Sequence, residues 1–357
     1  MCPKRKLNHQ DGYSLVELMI AMATMAIITG AALALVRSSL NFSNSTYQLT
    51  EAEQNLRIAH EMLNRDLTTA GDGLKGINMI QVPVSFVSNY LTKTPIVDVG
   101  SPDYPNLGLV TSDDNVPGTT VVPQSNPSVN VLDKSDRLTI LTRDTSFNPV
   151  PVLAGKITIS GNSTNVVIAP ADMTSRGFQA GEIYAIVAQN SIAFGVVSSI
   201  AGNNTLVMTN GDSYGINQTI STAPIYSIAG LAVGPSVPAS VIRLEVIHYY
   251  VNANNLLIRR VFGVKGTGFV DGIVAEHVTN LQFRYLVNLV DANGFVPQPK
   301  RQLTTSTEQA AVREVEATVG VETLRAINNV TSNNNGKQVI SSTTATSVRN
   351  LQFRKAL

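Results

Sequence analysis

The chain has 357 residues, of which 43% are hydrophobic and 14% charged, with a formal net charge of +1. It is long enough to bury a core in one large or two ordinary domains, and its near-neutral balance gives nucleic acid no global electrostatic hold. The one cysteine is Cys2, so a chain shortened at its N-terminus has no disulfide, no cysteine nucleophile and no thiolate metal site.

Lys4, Arg5 and Lys6 directly precede the strongly hydrophobic run. Between Glu17 and Arg37 lie nineteen uncharged residues, LMIAMATMAIITGAALALV. As a helix they span roughly 28 Å, close to the hydrocarbon thickness of a bilayer. Basic residues ahead of the span keep the N-terminus cytoplasmic. A plain signal anchor, a secretory signal peptide and a buried core helix are alternative readings of the run. Two features count against them. Glu17 stands at the mouth of the span, where a carboxylate is costly and a plain anchor gains nothing from it. The helical pattern also continues past Arg37, with no proline from Tyr13 to Val82 and a stop signal at Gly71 and Gly73.

Within that extension Leu49, Ala52, Leu56, Ala59, Leu63, Leu67 and Ala70 recur at three- and four-residue spacing, a single helical stripe. Glu51, Glu53, Arg57, Glu61, Arg65 and Asp66 are expected opposite it. The spacing predicts one helix of about 58 residues, roughly 85 Å long, apolar all round at first and amphipathic later. Its first half demands lipid or other apolar helices, and its second half one face of a globular domain.

GYSLVELMIA, Gly12 to Ala21, resembles the N-terminal signal of type IV prepilins and pseudopilins. The resemblance implies removal of residues 1–12 by a prepilin peptidase, cleavage between Gly12 and Tyr13, and N-methylation of Tyr13. It also implies that Glu17, fifth in the shortened chain, serves filament assembly by pairing with an N-terminal amine. Tyr13 departs from the phenylalanine most common at that place. In physical terms, Gly12 lets the scissile backbone lie close to the peptidase. Two opposite charges in a low-dielectric medium then offset one another's burial and set axial register.

The remainder divides into a Pro- and Asn-rich surface excursion over 72–135 and a β-rich domain over 136–357. Seven of the sixteen prolines lie between Pro83 and Pro127, which reads as extended chain with at most short edge strands. From Asp136 onward short β-branched runs alternate with turns. RLTILT, KITIS, NVVIA, EIYAIVA, IAFGVVSSI, TLVMT, PIYSI, VIRLEVIHYYV, NLLIRRVF, VTNLQFRYLV and VREVEATVGVETL are the predicted strands. The expected fold is α+β and pilin-like, with the helix (13–36 membrane and filament core, 37–71 amphipathic) packed on an antiparallel sheet. The series SDRLTIL, AGEIYAIVAQ, LLIRRVF, VAEHVTNLQFRYLV, VREVEATVGV and TATSVRNLQFR is similar to PilW-type minor pilins, and in part to J-class pseudopilins of type II secretion.

Other motifs carry less. Gly211-Asp212-Ser213-Tyr214-Gly215 matches the spacing of a nucleophile elbow, but the β-branched sequence that follows makes a poor helix, so a turn is expected. His9, His60, His248 and His277 lack metal-ligand spacing. Asp291 and Asn293 read as a turn rather than a calcium loop, Asp113-Asp114 as a solvated loop, and the Gly263–Gly268 cluster lacks a strand–helix context. Tyr249-Tyr250 with Arg349, Arg354 and Lys355 make a weak nucleic-acid footprint. The Asn44 and Asn162 sequons are expected by chance in an Asn- and Ser-rich chain.

The expectation is a non-enzymatic minor pilin with no cofactor and no metal. Its expected partners are a prepilin peptidase, other major and minor pilins and the inner membrane, not nucleic acid. It would be a single-pass inner-membrane protein before assembly and part of a surface pilus after it. A secretion pseudopilin, or a tip adhesin whose ligand meets 84–135, stays open as an alternative.

Overall fold

The computed structural model describes residues 14–74, 79–91, 105–122, 128–188, 191–217, 238–264, 268–291, 294–327 and 336–352. They form one long N-terminal helix followed by antiparallel sheets, an α+β pilin-like fold. Two compact units divide the chain: residues 1–51 with 323–338, and residues 52–322 with 339–357.

Helix α1 (Leu15–Thr69) is continuous over 55 residues. Hydroxyl groups that would otherwise compete for the backbone bond back onto it, as Ser45, Thr46 and Thr50 do to carbonyls four residues earlier. Gly71 and Gly73 end the helix with φ of +71° and +73°, where a side chain would be strained. The Gly71 amide then bonds the Leu141 carbonyl at 2.8 Å. In the first unit the described residues 15–46 of α1 are exposed apart from the half-buried Ser45. Buried Gln48 accepts the Arg325 amide at 3.0 Å, and the Thr323 amide reaches the Gln338 carbonyl.

In the second unit the predicted stripe holds. Ala52, Leu56, Ala59, Leu63, Leu67 and Ala70 are buried in the main core. That core lies between the helix and two sheets. The first sheet runs β13 (Phe269–Ala275), β12 (Leu257–Phe262), β11 (Ala239–Val251), β4 (Ser135–Arg143), β3 (Val110–Val116). The second runs β15 (Gly294–Lys300), β14 (Val278–Asp291), β16 (Val312–Glu322), β17 (Val339–Ser347). The Phe283 amide on β14 bonds Asp136 Oδ2 on β4 at 2.7 Å, tying the two sheets together.

Strand β11 is long enough to serve two structures. Its second half lies between β12 and β4, and its first half between β7 (Ile183–Ala188) and β5 (Val150–Ser160). From β5 the pairing passes to β6 (Ser163–Ile168), β10 (Thr205–Thr209) and β9 (Ser199–Ala201). Strand β8 (Ser191–Val196) runs into β9 after two residues and pairs with β7, which returns to β11. The chain itself, bending between β8 and β9, completes the ring, a small barrel with its own apolar interior of Val150, Val166, Ile186, Leu206, Met208 and Val241. Every described pairing is antiparallel, as expected, but the strands form three sheets where one was foreseen.

Three further expectations are corrected. The described part of 72–135 does not simply run over the surface: β1 (Met79–Gln81), α2 (Val84–Tyr90), β2 (Asn106–Gly108) and β3 put Ile80, Val82, Phe86, Val87, Leu91, Leu107 and Leu109 into the main core. Pro83 and Pro105 stand directly before α2 and β2, and the apolar residues of these short elements face inward. Asp113 is not in a solvated loop but on β3, 2.9 Å from the buried Arg137 guanidinium. Asp66 is not on the polar face of the helix; it is buried. PIYSI lies outside the described residues.

Candidate functional site

The start of α1 is the candidate site, and Glu17 occupies its first turn. The first amides of a helix lack intrahelical acceptors, so a carboxylate there is favoured by both hydrogen bonding and the helix dipole. Glu17 fills that role by turning back, Oε2 accepting the Ser14 amide at 3.1 Å. Gly12 and Tyr13 lie outside the described residues. Beyond Glu17 the helix is apolar on every side, and Leu15, Met25, Ile27 and Leu35 are each more than 70% exposed. Water would not sustain such a surface. The Thr24 hydroxyl bonds the Ile20 and Ala21 carbonyls at 3.0 Å, so this polar group is satisfied within the helix, as lipid requires. The helix is long and apolar enough to cross a bilayer, with a mean hydropathy of 2.2 in its most apolar window.

The far end of α1 is fixed quite differently. Asp66 accepts the Tyr249 hydroxyl at 2.6 Å and the Nε of Arg259, and lies 3.3 Å from Arg65 Nε. Burial and the Asp66 charge together push the Tyr249 hydroxyl pKa up. Arg143 pairs with Asp72 at 3.0 Å just past the helix, the Thr142 hydroxyl reaches the Thr69 carbonyl at 2.7 Å, and Asn350 donates to the Ala70 carbonyl. Sequence reasoning missed Asp66. The signal was its position three residues after Leu63 and four before Ala70, at the edge of the buried stripe.

The remaining motifs resolve into structural roles. The Asp212 carboxylate gathers the amides of Tyr214, Ile216 and Asn217, and the Ser213 carbonyl accepts the Tyr90 hydroxyl. Ser213 thus sits in a carboxylate-stapled turn, not on a strand-to-helix elbow. His248 Nδ1 meets the Thr139 hydroxyl at 2.9 Å inside the first sheet, and His60 is buried on α1. His277, in a turn at φ +57°, is the residue before β14. Among the described residues no group of three or more His, Cys, Asp or Glu side chains is placed to hold a metal. Gly263 and Gly268 close the turn between β12 and β13 through a 2.9 Å backbone bond. Asp291 pairs with Gly294 to close the β14–β15 hairpin.

Residues 7–33 match the family model described as the prokaryotic N-terminal methylation motif. No curated protein and no solved structure matches the chain. The motif supports a protein of type IV pilin or pseudopilin type, a class of structural subunits. The motif and the N-terminal apolar helix, the one of spanning length among the described residues, fit single-pass anchoring in the inner membrane followed by entry into a filament.

Proposed function

We propose that the chain is a minor type IV pilin, made as a membrane-inserted precursor and built into a pilus by its N-terminal helix. The observation that carries this reading is a coincidence of positions. The methylation motif ends inside a continuous helix whose first half offers bare apolar surface and whose second half is buried against a folded domain. Such a helix can leave lipid only for a setting equally apolar, such as a bundle of like helices.

In this reading a prepilin peptidase cuts between Gly12 and Tyr13, the new amine on Tyr13 is methylated, and Glu17 neutralises an N-terminal amine inside the bundle. The pairing acts as a register device, since a helix out of step leaves a carboxylate unpaired in a low-dielectric medium. The size of the domain and the PilW-like series after residue 136 favour a minor subunit over the bulk one.

The test is Glu17→Val. The variant is processed as the native chain is, because Gly12 and the apolar run are intact, but it enters sheared filaments at a small fraction of the native level. Normal incorporation would refute the pairing. Loss of pili on deletion of the protein supports the pilus; loss of protein export with pili intact would place it in a secretion machine instead.

A further inference from the structure

The sheet edges of this protein are not treated alike. The barrel closes through the continuous β8–β9 segment and leaves only short edges, β8 paired with β7 alone and β9, three residues long, with β10 alone. Strand β3 carries Asp113 and Asp114 and a register shift, β13 carries Asp271 and Gly272, and β15 carries Pro297, Pro299 and Lys300. Charges, prolines and irregularities of this kind keep an edge from pairing with another chain. Strand β17, VISSTTATS, has none of them: nine residues without charge, proline or glycine, six of them Ser or Thr, paired on one side with β16 in unbroken register.

Hydrogen-bond parity fixes which backbone groups face outward. The Val348 amide bonds the Arg313 carbonyl at 2.9 Å. In an antiparallel ladder bonded and non-bonded pairs alternate, so the Val315–Thr346, Ala317–Thr344, Val319–Ser342 and Val321–Ile340 pairs bond across to β16. The amides and carbonyls of Val339, Ser341, Thr343 and Ala345 therefore point away from β16, and all four residues are exposed. Donor–acceptor pairs at every second residue match an extended backbone and little else.

We propose that the outer edge of β17 over Val339–Ala345, which pairs with no other described strand, takes an extended, uncharged strand from a different pilin-type subunit, a partner choice that rests on the pilin reading above. A second copy of this chain does not fit. Antiparallel β17–β17 pairing requires a two-fold axis normal to the sheet. Helix α1 lies on a face of that sheet, where the Thr346 hydroxyl meets Asn64 Oδ1, so the two-fold would reverse it, whereas subunits inserted in one membrane share one helix direction. The edge strands β3, β13 and β15 of a second copy carry the guards described above, and β1, β2 and β9 are only three residues long. Neighbours held by their N-terminal helices present their strands at high effective concentration, so a short strand suffices.

The test replaces Thr343 with a photo-cross-linking amino acid in the full-length chain in its native cells. The expected product joins position 343 to an uncharged strand of another protein whose own N-terminus is methylated and carries glutamate at its fifth position. Ser341→Pro with Ala345→Pro should lower its yield about tenfold or more, because these amides face outward and their loss leaves the β16 ladder intact. Ser341→Lys is the companion variant should the prolines disturb folding, which resistance to protease reports, and it should lower the yield likewise. A product with a second copy, a product with a protein lacking such an N-terminus, no product, or a yield indifferent to these variants would overturn the proposal. Retention of residues 1–12 would instead sink the pilin reading, so the two failures are distinguishable.

Discussion

Replacing Asp66 by alanine tests whether the amphipathic half of α1 is locked to the domain by charge as well as by its apolar stripe. The carboxylate is 5% exposed and Arg259, its main partner, 19%. Removing one member of a buried pair costs about 3–5 kcal/mol, because the other is left uncompensated. Arg259 retains some access to water, so the lower end applies, and the Tyr249 hydroxyl, itself fully buried, loses its acceptor as well. A loss of about 3 kcal/mol corresponds to a melting midpoint lowered by about 6–12 °C for a domain near 200 residues, and by less for a larger one. The assay is thermal unfolding of the detergent-solubilised chain, followed by near-ultraviolet circular dichroism. A double-mutant cycle with Arg259→Met isolates the pair, and its coupling should exceed about 1.5 kcal/mol. A midpoint shift under about 2 °C, or a coupling near zero, would show that Asp66 is incidental and that apolar burial alone seats the helix.

Asp136 gives a pH signature. Burial raises its pKa to about 6, well above the usual aspartate range, even though the amides of Asn115 and Phe283 favour the charged form. An acid with a raised folded pKa stabilises most below its unfolded pKa and loses that contribution as pH rises to about 6. Stability should therefore fall by about 2 kcal/mol from this group between pH 4 and 7, and Asp136→Asn should abolish that slope; an unchanged slope would contradict it. Gly263→Ala should cost about 3 kcal/mol, since its Cβ would lie 2.5 Å from Ile183 Cγ1 at a φ of +78°; a midpoint within 2 °C of the native one would count against the packing described. Gly12→Ala should leave an unprocessed, membrane-bound precursor, visible as a slower band on a denaturing gel.

What could be read from the sequence followed from periodicity. The α1 stripe from Ala52 to Ala70 is legible because six small or branched apolar residues recur at helical spacing and are all buried. The β-branched runs of β4, β7, β11, β12 and β16 announce themselves in the same way. Strand β17 does not: a run of Ser and Thr lacks apolar alternation, and its place in the sheet is set by pairing with β16 rather than by its own burial. Strand β15 was hidden by Pro297 and Pro299, which an edge strand tolerates. The closed barrel was invisible because closure depends on β11 being shared along its length, a long-range fact with no local signal. Asp66 reads as a polar-face residue because its charge masks a position at the edge of the stripe. At the candidate site the motif carries the reading, and the structure adds the bond from Ser14 to Glu17.

The most direct measurement is the mass of the N-terminal peptide from protein purified out of membranes and out of sheared filaments. The account predicts a chain that begins at Tyr13 with a single methyl group on its amine in both preparations. A filament-borne chain still carrying residues 1–12, or one beginning at an unmodified residue elsewhere, would contradict it.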